Sequence, residues 1–215
     1  SHAHTSGPMR PPTFLTQARY PLFLSLLAAL LFFPALGTRD FWAPVEPRYA
    51  EIARVMFAKG EWIVPTVNGD LYTDKPILYF WLVLLASKLV GSVNELTVRL
   101  PSALSALGLV LTTYALGRDL ISPRIGFIAA IILATSARVL WEARWAHTDM
   151  AFTCFFTLSL YFFIRAMSQK GKPREFILAY GLMALATLTK GLIGIVLPAL
   201  IVFAFVALRR EWRAI

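Results

Sequence analysis

Long apolar runs separated by short charged loops dominate this chain. An α-helix needs about 17–25 apolar residues to cross a bilayer. Six runs reach or approach that length, over residues 20–36, 100–116, 125–141, 150–165, 176–189 and 192–208. The run Ile77–Val90 is shorter and contains Lys88, and runs of about 10–14 residues are more often interfacial than spanning. We therefore predict about six spans, with this run lying at the membrane surface.

The distribution of basic residues supports this topology. Positively charged loops remain on the cytoplasmic side of a membrane, so Arg10 and Arg19 before the first run favour a cytoplasmic N-terminus. The later outside turns then hold only Arg144 and Lys190. The cytoplasmic loops between and after the later runs hold eight: Arg118, Arg124, Lys170, Lys172, Arg174, Arg209, Arg210 and Arg213.

The first outside loop, residues 38–98, contains an amphipathic helical pattern. Apolar residues recur at helical spacing from Tyr49 to Met56, and charged residues occupy another side. Pro47 suits a first helical turn, and Gly60 marks the end. This helix is too short and too charged to span, so it should lie at the interface. Together with Ile77–Val90 it makes two interfacial juxtamembrane helices.

Composition agrees with an all-α polytopic membrane protein. Hydrophobic residues make up 58% of the chain and charged residues 15%, against roughly 45–50% and about 25% in soluble domains. The net charge of +9 follows from the topology rather than from nucleic-acid binding. The single cysteine, Cys154, excludes an intrachain disulfide. Residues 1–8 precede Met9 and are interpreted as an expression remnant, which leaves a membrane module over residues 9–215.

Ionisable residues concentrate on one predicted side of the membrane. The 40–77 segment, the 142–149 turn and Lys190 all face outward under this topology. Ionisable groups among apolar runs mark functional sites by default. No glycine-rich nucleotide loop and no Cys/His metal spacing occurs in the sequence. The pattern predicts a site at the outer membrane surface.

Several stretches resemble a known family. Residues 46–54, which begin Glu-Pro-Arg-Tyr-Ala-Glu, and residues 60–65, 74–76, 98–102, 144–150 and 188–191 resemble the N-terminal half of ArnT-like bacterial glycosyltransferases. These are grouped with protein O-mannosyltransferases in the GT-C class. The resemblance implies a GT-C-like bundle that is the first part of a longer enzyme in the bacterial inner membrane. It also implies a polyprenyl-phosphate-linked sugar donor and a lipid A, glycan or protein acceptor on the periplasmic face.

The resemblance also implies site residues. Asp149 falls on the second-loop acid of the family, and Asp74-Lys75 on its acidic–lysine pair. The first-loop Asp-Glu pair is here Val45-Glu46, so Glu46 is the remaining carboxylate there. A carboxylate is needed to orient or deprotonate the acceptor hydroxyl, and Glu46 and Asp149 are the candidates.

The donor requires two further features. A phosphate leaving group needs positive charge nearby, which Lys75, Arg48, Arg144 and Lys190 could supply. The polyprenyl tail needs an apolar groove, which the run Tyr79-Phe80-Trp81 could line. We predict Glu46, Asp149 and Lys75 as catalytic residues. The predicted substrate-binding residues are Arg48, Asp74, Arg144, Lys190, Tyr79 and Trp81.

Two alternatives stay open from the sequence. His147 near Asp149 leaves room for a divalent metal, but one histidine is a weak signal, and no metal ligand is assigned. A transporter or lipid-binding module would place charges inside its spans. The predicted spans are nearly free of charge, which disfavours transport.

Overall fold

The computed structural model describes residues 14–168 and 171–209, with side chains from 19 to 168 and from 171 to 208. The predicted expression remnant and the cations Arg10, Lys170, Arg210 and Arg213 lie outside these residues. Within them the chain forms nine helices and one two-stranded hairpin. In chain order these are α1 (Phe14–Phe32), α2 (Val45–Lys59), β1 (Thr66–Val67), β2 (Asp70–Leu71), α3 (Leu78–Val90), α4 (Glu95–Leu120), α5 (Pro123–Thr135), α6 (Ala137–Ala143), α7 (Thr148–Ala166), α8 (Pro173–Lys190) and α9 (Ile193–Arg209).

Helix α4 forms the centre of the bundle and packs against α1, α3, α5 and α7. It begins with a capping box, in which the Asn94 side chain accepts from the Thr97 N–H and Thr97 Oγ1 accepts from the Asn94 N–H. The backbones of α4 and α5 come close at Gly117 and Gly126, where a Cβ on Gly117 would lie 2.5 Å from Gly126 Cα. Only glycine allows this approach.

The all-α prediction is confirmed, and every predicted span contains a helix. By length and composition α4 and α7 can each cross a membrane. If the bent pair α5 and α6 is counted as one span, the described residues contain up to three spans. The apolar helices at 19–32, 78–90 and 193–208 are shorter. The count of six spans stays a prediction.

One predicted helix is divided in the structure. The run 125–141 was expected to be continuous, but its axis bends by 66° between α5 and α6. The break lies at Ser136, whose backbone is extended (φ −68°, ψ 137°) and whose hydroxyl donates to the Leu133 carbonyl. The bend matters for the site because the 142–149 turn follows α6 directly.

The first loop folds as the periodicity predicts. Helix α2 buries Tyr49, Ile52, Ala53 and Met56 and ends at Gly60, whose φ is +65°. Helix α3 has 13 residues, so it is only about 20 Å long and falls short of the roughly 30 Å hydrocarbon core. Both helices pack on a shared core that also includes Ala146 of the later turn.

Candidate active site

A buried ion pair holds the first loop in place. Glu46 is 0% and Arg99 1% exposed. The Arg99 Nε and Nη2 atoms donate to the two Glu46 carboxylate oxygens at 2.9 and 2.7 Å. The remaining Arg99 donors reach the carbonyls of Leu36, Arg39 and Asp40 at 2.6–3.0 Å. All five N–H groups of this guanidinium are therefore satisfied.

Glu46 also connects the first loop to the later turn. Its Oε1 accepts from the Ala146 N–H at 2.9 Å, and its Oε2 accepts from the Trp42 N–H at 2.8 Å. Burial alone would raise the pKa of Glu46, but the hydrogen bonds from Arg99, Trp42 and Ala146 outweigh burial and hold that pKa below its ordinary value. With four donors on two oxygens, this carboxylate has little capacity left for a substrate proton.

Asp149 lies at the start of α7, where two other segments meet it. Its Oδ1 is 2.8 Å from Lys190 Nζ at the end of α8 and 3.1 Å from His147 Nδ1. The His147 ring is stacked between Tyr49 of α2 and Trp145, with centroid separations of 6.1 and 5.3 Å. Asp149 is half-buried, with its side chain 27% exposed. The structure thus brings the predicted 40–77 loop, the 142–149 turn and Lys190 to one place.

The loop side of this site carries two cations, Arg48 and Lys75, that are in no described ion pair. Tyr72 interacts with Tyr49, Arg48 and Asp74, and Tyr49 in turn interacts with Asp149. Arg48 is exposed and Lys75 half-exposed. Both can therefore contact an anion.

Other predicted site residues have structural partners. Tyr79 is 0% exposed, and its hydroxyl donates to the Val98 carbonyl and contacts Ser102 Oγ, both at 3.0 Å. Trp81 donates from Nε1 to the Trp62 carbonyl at 2.6 Å, which fastens the loop to α3. Arg144 donates to the Pro34 carbonyl at 2.9 Å, at the end of α1. Tyr79 in particular lies in the core and does not face a groove.

An apolar groove lies beside α3, and Tyr79 is not among the residues that line it. It has a volume of about 350 Å³ and runs between α3, α4 and α7. Its lining is almost wholly apolar and includes Leu82, Leu85, Leu104, Cys154 and Phe155. Cys154 and Phe155 belong to the same helix as Asp149 and lie one to two turns further along it.

The sequence interpretation missed two residues of this region. Arg99 was noted only as part of a motif, although an arginine directly before a predicted span is itself a signal. Glu142 is 4% exposed and lies near His147 and Asp149. One potential ligand atom from each of the three residues lies within 4.8 Å of the others, which is a grouping that could hold a metal ion.

The fold and these sites define a helical membrane protein of the GT-C type. Over 92% of this chain the structure superposes on crystal structures of ArnT from Cupriavidus metallidurans, with a TM-score of 0.83 for the apo state and 0.84 for the state bound to undecaprenyl phosphate, at 26% identity. A family model described as dolichyl-phosphate-mannose-protein mannosyltransferase matches residues 74–214, and the chain belongs to that family.

Sequence relatives agree with this assignment. An undecaprenyl phosphate-alpha-4-amino-4-deoxy-L-arabinose arabinosyl transferase of Edwardsiella ictaluri is 33% identical over 89% of this chain. The chain spans 35% of that relative and 38% of the ArnT structures. It therefore corresponds to somewhat more than a third of the proteins that it resembles.

Proposed function

We propose that this chain forms the donor-binding and catalytic part of a membrane glycosyltransferase. The enzyme would move a sugar from a polyprenyl phosphate to a lipid A, glycan or protein acceptor on the periplasmic face of a bacterial inner membrane, with its N-terminus in the cytoplasm. The relatives named above support this donor class. The observation that carries the proposal is the position of Asp149, which lies between Lys190 and His147 on the helix that also lines the apolar groove.

The donor would bind across two chemically different regions. The polyprenyl tail would lie in the apolar groove, where burial of each CH₂ group contributes about 0.8 kcal/mol. The phosphate would lie near Lys75 and Arg48, which have no ion-pair partner among the residues described. Lys190 and Arg144 are already engaged. The two loop cations are thus the better candidates for the phosphate charge.

The transfer itself needs one base and one anion site. The acceptor hydroxyl oxygen would attack the anomeric carbon as the bond from that carbon to the phosphate oxygen breaks. The polyprenyl phosphate leaves as an anion and takes no proton, so nearby positive charge stabilises the transition state. The hydroxyl proton would pass to Asp149 Oδ2, since Oδ1 makes the contacts with Lys190 and His147. A single displacement inverts the anomeric configuration.

Glu46 has a different role in this proposal. Its oxygens already accept from Arg99, Trp42 and Ala146, so it positions the 142–149 turn and takes no proton itself. Asp149 is the better-placed candidate base because its Oδ2 makes neither of the contacts with Lys190 and His147. In this assignment Asp149 contacts the reacting hydroxyl, and Glu46 holds the turn that carries Asp149.

A transfer assay tests the proposal. The full-length protein is incubated with polyprenyl-phosphate sugars and an envelope extract, and mass spectrometry identifies the component that gains the sugar. Removing a general base costs about 10²–10⁴-fold in rate, so Asp149→Asn should lose transfer, whereas Asp70→Asn, on the exposed hairpin, should not. Near-normal transfer by Asp149→Asn would overturn the assignment. Flipping of lipid in proteoliposomes without any modified acceptor would favour a transporter instead.

A further inference from the structure

Buried polar atoms without hydrogen bonds are concentrated in the 142–149 turn. In the part of the chain whose side chains are described, eight such atoms occur, and six belong to this turn. They include both carboxylate oxygens of Glu142, Nδ1 of His147 and Oδ1 of Asp149. Three of these atoms lie at ion-pair distance from a neighbour, whereas Oε2 of Glu142 is in no described ion pair. Buried polar groups almost always have a partner, and an unsatisfied one calls for an explanation such as an ion.

We propose that Glu142, His147 and Asp149 bind one divalent transition-metal ion. Their ligand atoms lie within 4.8 Å of one another. The His147 Nδ1 to Asp149 Oδ1 distance of 3.1 Å is close to the roughly 3.3–3.5 Å between neighbouring ligands of a tetrahedral zinc site. One nitrogen and two carboxylate oxygens suit Zn²⁺, Co²⁺ or Mn²⁺. A side-chain adjustment of Glu142 would bring its oxygen to the same ligand-to-ligand spacing.

Two cations now lie beside the same oxygens. Arg138 Nη2 is 2.6 Å from Glu142 Oε1, and Lys190 Nζ is 2.8 Å from Asp149 Oδ1. Neither contact is aligned as a hydrogen bond, since both oxygens lack a bonding partner. The Arg138 side chain is 77% exposed, so its charged end can move into solvent. An incoming ion would therefore compete with these two side chains for the Glu142 and Asp149 oxygens.

The stacked rings favour binding by His147. Tyr49 and Trp145 lie nearly parallel to the imidazole on its two sides, at interplanar angles of 7° and 16°. This fixes the ring plane with Nδ1 toward Asp149. Preorganised ligands lose less entropy when they bind. The role of the ion, unlike its site, rests on the proposed function: a cation here would neutralise charge on the donor phosphate.

Cobalt binding tests the site directly. The chain has three histidines, and His2→Ala with His4→Ala leaves His147 as the only one. The protein with these two changes, in nanodiscs of uncharged lipid, is titrated with Co²⁺ and followed by visible absorption. One ion per chain is expected. Pulsed EPR with Mn²⁺ should then show nitrogen coupling, which in this protein can come only from His147 among histidines.

Variants separate a built site from adventitious binding. Loss of an outer-shell partner costs about 10–100-fold in metal affinity, so Glu142→Gln and His147→Asn should each weaken binding at least ~10-fold. The matched control Glu51→Gln, in an exposed pair with Arg54, should bind normally. Lys190→Met should tighten binding because a competing cation is removed. If Glu142→Gln or His147→Asn fails to fold, the tighter binding by Lys190→Met still tests the site.

Two results would overturn the metal site. One is the absence of a bound ion in a folded protein, and the other is equal affinity in Glu142→Gln, His147→Asn and the control. Binding is measured without donor or acceptor. A negative result would therefore disprove the metal site only. The proposed transfer reaction would still be tested separately by Asp149→Asn.

Discussion

Replacing Glu46 by glutamine separates a positioning carboxylate from a catalytic base. Glutamine keeps the shape of the side chain but leaves the Arg99 guanidinium, which is 1% exposed, without a counter-charge. Breaking a buried ion pair by removing one partner costs about 3–5 kcal/mol. The NH₂ group of the new amide must also face two donors, a guanidinium N–H of Arg99 together with the N–H of either Ala146 or Trp42. We therefore expect a large loss in the free energy of unfolding and a parallel loss of transfer.

The interaction energy between Glu46 and Arg99 can be isolated with a double-mutant cycle. Arg99→Met alone leaves Glu46 buried and charged, and it also removes the donors of the Leu36, Arg39 and Asp40 carbonyls. It should be at least as costly as Glu46→Gln. In Glu46→Gln with Arg99→Met no buried charge remains. The double variant should therefore be less destabilised than the sum of the single changes by roughly 2–3 kcal/mol.

Thermal and denaturant unfolding in nanodiscs provide the assay, with transfer measured on the same samples. Glu51→Gln is the matched control because it makes the same substitution on the same helix in an exposed pair, where little change is expected. A Glu46→Gln protein that unfolds like the wild type but has lost transfer would refute the positioning role. It would restore Glu46 as the candidate base.

Three further predictions follow from the same geometry. The pKa of Glu46 lies below its ordinary value of 4.5, so its contribution to stability is present above pH 4.5 and is lost as the pH falls through the lower pKa of the folded state. The wild type should therefore lose stability on acidification more steeply than Glu46→Gln. Unfolding measured from pH 7 to pH 3 checks this. Lys75→Ala should reduce transfer by about 10–10³-fold through lost charge at the phosphate, whereas Lys59→Ala, on the far end of α2, should not. Leu104→Trp narrows the apolar groove and should raise KM for long-chain donors more than for a short-chain analogue, while Leu30→Trp, on an exposed part of α1, should leave KM unchanged.

The elements of this protein could be predicted from the sequence because they depend on local patterns. Apolar length marks the long helices, and the recurrence from Tyr49 to Met56 predicts the buried face of α2 that the structure shows. The family resemblance rests on short motifs in order along the chain. The break at Ser136 escaped this reasoning because no proline or glycine lies there, although Thr135, Ser136 and Arg138 interrupt the apolar run.

Tertiary packing alone decided the partners within the site. Glu46 meets Arg99 and the Ala146 N–H across 53 and 100 residues of chain, and no periodicity relates such positions. Both sides of α3 are apolar, so only its neighbours determine that Tyr79 faces the core while Leu82 and Leu85 face the groove. The sequence by itself determined which residues could be charged, apolar or helical. The three-dimensional structure decided which charges are satisfied and which stay available, because that depends on contacts between segments that the linear order does not bring together.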